Sequence, residues 1–180
     1  MYYHPYMYPY PYPVNVPVYS YVASYEYWDN PYTDQYGSVH YRNTIPLKDY
    51  GKQPFVVNIN KATKQNRTFR TALWTGDHLQ VTLMSIRVKE DIGLEIHPHV
   101  DQFLRIEEGQ GIVKMGDKKD NLYYQQRVSD DDAIMVPAGT WHNIINTGNK
   151  PLKLYSIYAP PNHPFGTVHK TKAEAMREER

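Results

Sequence analysis

Residues 54–158 are written as a series of short β-type runs, each closed by a turn, and this punctuation limits the fold more than any other feature of the chain. Residues 54–59 read as the first run. Residues 68–74 read as the next, ended by Gly76-Asp77. Residues 79–86 alternate apolar and polar over most of their length, and Gly109, Gly111 and Gly116-Asp117 mark later turns. Residues 123–128, 133–136, 142–146 and 152–158 complete the set. Side chains of a strand point alternately to its two faces, so period-two runs at such spacing predict an all-β barrel or sandwich. Only residues 172–180 read as a helix, with Ala173, Glu174, Ala175 and Met176 as good helix formers.

The composition breaks near residue 42. Residues 1–36 carry twelve of the 18 tyrosines and six of the 14 prolines, no lysine or arginine, and only the acids Glu26, Asp29 and Asp34. With few aliphatic groups to bury and many X-Pro units, such a stretch is expected to be a largely unstructured, low-complexity arm. Its phenol rings suit contact with other protein surfaces. The expected organisation is an arm over 1–42, a barrel over 43–170 and a helical tail over 171–180. The barrel segment is long enough for one well-buried core. With a net charge of +1, the chain offers no electrostatic case for nucleic acid as a partner. No stretch approaches the roughly 18 apolar residues of a membrane span. The amino terminus lacks the basic and apolar regions of a signal peptide, so a cytoplasmic location is expected. There is no cysteine, which removes disulfides, thiolate metal sites and cysteine nucleophiles.

Two segments carry chemistry. The first is Glu95-Ile-His97-Pro-His99-Val-Asp101-Gln102, leading to Gly109; the second is Asp132 to Asn146, with Pro137, Gly139 and His142. Lying side by side, they would bring His97, Gln102 and His142 to one divalent metal ion. Imidazole and carboxylate donors suit manganese, iron, zinc or nickel. Glu95, His97 and His99 share a strand face, whereas Gln102 has the opposite parity, so the chain must bend between Pro98 and Asp101. The alternative is a barrel whose His97 and His142 are hydrogen-bonded inside without metal. Burying three such groups in one interior is costly unless they are paired or metal-bound.

The second segment, Pro137-x-Gly139-x-x-His142-x-x-x-Asn146, resembles the second conserved motif of the cupins, with Asp132 in place of the usual opening glycine. The first segment resembles the first cupin motif in one of two registers. In one, His97 and His99 are the paired histidines and the spacing to Gln102 is one residue short. In the other, Glu95 and His97 take those positions and every spacing to Gln102 and Gly109 fits. Both place glutamine where the family usually has glutamate. The resemblance covers about residues 54–169. It implies a double-stranded β-helix of the jelly-roll type, with metal ligands drawn from Glu95, His97, His99, Gln102 and His142, and Glu95 as a catalytic base. Cupins include sugar isomerases and epimerases, dioxygenases, decarboxylases and non-enzymatic proteins. The expected function is therefore a metal-binding, homodimeric cupin that binds or acts on a small polar ligand such as a sugar or sugar phosphate. The alternatives are an iron or manganese dioxygenase, and a structural protein of a spore coat or cell surface whose tyrosine arm makes the lattice contacts.

Among the remaining residues, Asn146 is expected to be structural and Trp141 to pack outward. Arg105 and Glu107 are expected to face solvent or a partner sheet. Tyr155 or Tyr158 is expected at the barrel mouth, and His163 and His169 are expected on the surface of a proline-rich loop that crosses it.

Overall fold

A computed structural model describes residues 44–178, together with one short antiparallel ladder before them. The chain divides into two compact units, Met1–Asn43 and Thr44–Arg180. In the first, β1 (Tyr32–Thr33) pairs with β2 (Val39–His40). Apart from this ladder, the expected unstructured arm lies outside the described residues.

The second unit runs α1 (Ile59–Gln65), β3 (Arg70–Thr75), β4 (Gln80–Ile86), β5 (Asp101–Glu108), β6 (Gln110–Gly116), β7 (Tyr124–Ser129), β8 (Ala133–Val136), β9 (Trp141–Asn146), β10 (Leu152–Ala159), β11 (Val168–His169) and α2 (Lys172–Glu178). Six strands form one sheet in the order β11-β3-β4-β10-β5-β8, and three form the other in the order β7-β6-β9. All their pairings are antiparallel. The two sheets are the walls of a double-stranded β-helix. Between them lies a core that joins Leu104, Ile106 and Leu154 of one sheet to Val113, Val128 and Ile144 of the other. Burying each of the larger side chains contributes about 1.5–3 kcal/mol. The chain passes from β5 to β6, and so from one sheet to the other, at Gly109. Its φ of +100° is one that side-chain-bearing residues rarely adopt, and a Cβ there would meet the Leu152 backbone at 3.1 Å.

The inner face of the large sheet changes character along its length. At one end it presents Met84, Ile86, Leu104, Ile106, Leu152 and Leu154, all buried and apolar. At the other it presents Gln80, Thr82, Gln102, Ser156 and Tyr158, all buried and all but the Tyr158 ring polar. The register makes this a block, because Ser156 lies opposite Thr82 and Leu104, and Tyr158 lies opposite Gln80 and Gln102. A polar pocket inside a barrel needs internal partners for its groups, and this end holds the candidate site.

Several sequence expectations are corrected. Residues 54–59 are not a strand. Asn58 instead caps α1, its side chain accepting from the Lys61 amide at 2.9 Å, and the helix runs from Ile59. This adds a second helix, packed on the outer face of the large sheet over Leu73, Leu83 and Tyr155. Glu107 on that face does not meet solvent: it is buried beneath α1, where its carboxylate accepts from Asn60 and Arg105. His163 and His169 are buried too. His169 pairs with Glu178 of α2 at 2.7 Å. Among the described residues no helix is long and apolar enough to cross a membrane.

Candidate metal centre

Strand β9 turns His142, Ile144 and Asn146 inward. Beside it runs the segment before β5, which pairs with β9 through isolated bridges, Asp91 with Ile145 and Glu95 with His142. The Glu95 amide donates to the His142 carbonyl at 3.1 Å, and the His142 amide donates back at 2.9 Å. Residues paired in this way carry their side chains side by side, so the bridge itself sets Glu95 against His142. His97 follows two residues on, its carbonyl accepting from the Gly139 amide at 2.9 Å. A turn at Pro98–His99 then resets the parity, and β5 brings Gln102 to the inner face. The expected bend lies here.

Three of the five candidate ligands converge. Oε1 of Glu95 lies 3.3 Å from Nε2 of His142 and 3.5 Å from Nε2 of His97. The donor atoms of the three residues lie within 4.8 Å of one another. Nδ1 of His142 lies 2.9 Å from the Thr140 carbonyl oxygen, which can only accept, so Nδ1 carries a proton and Nε2 faces Glu95. Both Nε2 atoms are buried and lack a hydrogen-bond partner among the described residues. Gln102 is also buried. Its Nε2 donates to Ser156 at 2.9 Å, and its Oε1 has no partner among the described residues. His99 is exposed and stands outside the cluster.

Electrostatics favour a cation here. Burial opposes ionisation of Glu95, but contacts from His142 and His97 and the charge of Arg70 outweigh it and hold the carboxyl well below the usual range. Arg70, fully buried on the inner face of β3, brings its Nη2 to 3.8 Å from Glu95. Sequence reading passed over Arg70, although its parity with Ala72 on an alternating strand puts a cation inside the barrel. A carboxylate and two imidazole lone pairs aimed at one point repel unless a proton or a metal ion lies between them, and this donor set fits a divalent metal.

Around the cluster, the Tyr158 ring stands edge-on to His97 at 5.6 Å and to His163 at 5.1 Å. Gln80 clamps the loop that carries His163: its Oε1 accepts from the His163 amide and its Nε2 donates to the His163 carbonyl, both at 2.9 Å. Burial pushes the His163 imidazole down to about 3, with Arg70 adding to the effect. Asn146 closes the other end of β9. Its Nδ2 donates to the carbonyls of Ile86 and Lys150, and its Oδ1 accepts from Gly148.

The Cupin domain family model matches residues 82–158, which hold Glu95, His97, Gln102 and His142. Over 138 residues the chain is 76% identical to the uncharacterized protein YrkC of Bacillus subtilis (strain 168), covering 77% of this chain and 74% of that one. The chain is a cupin. This cupin is also 44% identical over 117 residues to the uncharacterized protein L612 of Acanthamoeba polyphaga mimivirus, covering 64% of this chain and 71% of that one. The crystal structure of BH2720 from Bacillus halodurans matches it with a TM-score of 0.72 and 72% identity, over 73% of this chain and 99% of that chain. In the cupin barrel seen here the carboxylate beside the two histidines comes from Glu95, two residues before His97.

Proposed function

We propose that this cupin holds a divalent metal ion on Glu95, His97 and His142, and binds or acts on a small polar ligand such as a sugar or sugar phosphate at that ion. The observation that carries the reading is the meeting of one carboxylate oxygen with two imidazole Nε2 atoms, where the backbone already takes the His142 Nδ1 proton. Gln102, whose Oε1 has no partner among the described residues, is a neutral candidate for a further ligand on the polar inner face. A metal bound there would act as a Lewis acid towards a carbonyl or hydroxyl group. Glu95 supplies the negative charge of the ligand set and is the candidate base beside the ion. Arg70 adds a buried positive charge beside Glu95 and so favours a ligand that carries negative charge or strong acceptors.

A second reading has its own support. Two histidines and one carboxylate are the donor set of the facial triad of non-haem iron oxygenases, and oxygen uptake with Fe(II) would be its signature. A homodimer, and protein contacts made by the tyrosine arm, belong to the same proposal and are read by sedimentation of the full chain.

The test is elemental analysis after loading with Mn(II), Fe(II), Zn(II) or Ni(II) and gel filtration. About one ion per chain is expected to remain bound in the parent protein. Retention of none of the four metals would remove the reading. Isomerisation of sugar phosphates without oxygen uptake would separate the first function from the second.

A further inference from the structure

At the opposite end of β4 from Gln80 and the polar pocket lies a cleft of about 300 Å³ that shares no residue with the metal centre. Arg67, Arg87, Lys170 and Lys172 line it, with Ser85, Phe69 and the single carboxylate of Glu90. Lys172 is matched by Asp91 at 2.7 Å. Arg67, Arg87 and Lys170 are exposed and make no ion pair among the described residues. Behind the cleft, directly across the ladder from Ser85, the buried Lys153 donates to the Asn66 carbonyl. Burial pushes its ammonium down from the usual lysine value, against Glu108, which holds it up, and Arg67 adds to the push. A chain with net charge +1 therefore gathers four cations around one concavity, three of them outside any ion pair among the described residues, against the one lining carboxylate of Glu90.

We propose that this cleft is a second ligand site, which binds the phosphoryl group of a small soluble phosphate ester. Two guanidinium forks suit the several acceptor oxygens of a phosphate dianion better than a lone carboxylate, and lysines add charge without fixed direction. The backbone amides of Lys170 and Thr171 are not available to the ligand, because they already donate to the Glu174 carboxylate. Recognition falls to the side chains.

The experiment is isothermal titration of the full chain with inorganic phosphate and with glycerol phosphate, against sodium chloride at matched ionic strength. Saturable binding is expected for both phosphates and none for chloride. Replacing both arginines (Arg67→Gln with Arg87→Gln) is expected to weaken binding at least about tenfold, the order of two lost charge-assisted contacts. Removing two remote charges (Lys114→Gln with Lys118→Gln) should leave binding unchanged, as should His142→Ala, since the metal centre is not involved. The proposal is overturned if the arginine variant binds phosphate as the parent does, if chloride gives the same heat, or if His142→Ala abolishes binding. Circular dichroism and the urea midpoint of the arginine variant guard against misfolding. If that variant is unfolded, charge reversal at the exposed Lys170 alone (Lys170→Glu) replaces it and must weaken binding to sustain the proposal.

Discussion

His163 should make this barrel acid-sensitive in a way that one substitution removes. Its imidazole is buried, stands edge-on to Tyr158, and is pushed from 6.5 down to about 3 by burial and by Arg70. The folded state thus favours the neutral ring, while the unfolded chain takes up a proton near the ordinary value. The stability this group contributes is fully present above about pH 6.5 and is lost as the pH falls towards 3. One pKa unit corresponds to about 1.4 kcal/mol, so lowering the pH from about 7.5 to about 5 should cost about 2 kcal/mol through His163 alone. The assay is urea unfolding of the parent and of His163→Gln at both pH values, each treated with chelator so that metal release does not add to the slope. All other ionisable groups are common to the two proteins and cancel in the difference. The variant should lose about 2 kcal/mol less than the parent over this interval. If the two chains lose stability in parallel, His163 is not held neutral by the fold and the reasoning fails.

His97→Ala and His142→Ala should each remove most bound metal while the barrel stays folded, and His99→Ala should leave metal content unchanged; elemental analysis with far-ultraviolet circular dichroism reads both. Glu95→Ala should weaken the metal in competition titration more than His99→Ala does, because the Glu95 carboxylate touches both imidazoles. Asn146→Ala removes the partner of the buried Ile86 carbonyl and of the Lys150 carbonyl and Gly148 amide, and should cost about 1–3 kcal/mol in denaturant unfolding with no loss of metal. Deleting residues 1–42 should leave the urea midpoint of the barrel nearly unchanged and alter its sedimentation, since that segment has few aliphatic groups to bury.

The amino-acid sequence by itself determined the architecture and the neighbourhood of the site. Alternation along residues 79–86 and 152–158, glycines at the turns, and the Pro137, Gly139, His142 and Asn146 spacing are local signals, and each reports a local constraint on the backbone. The same signals misread residues 54–59, where an Asn58 cap and the apolar outer face of the large sheet favour a helix over a strand. They also misread His163, His169 and Glu107, whose burial depends on elements far away in sequence. Gln80 holds the His163 loop across 83 residues, α2 covers His169, and α1 roofs Glu107. Which of the five candidate ligands meet was decided only by tertiary structure. A single bridge between Glu95 and His142, 47 positions apart, aligns two side chains, and a turn at Pro98–His99 leaves His99 in solvent. Register between distant strands follows from how a whole barrel closes around its core, and no window of the sequence carries that information.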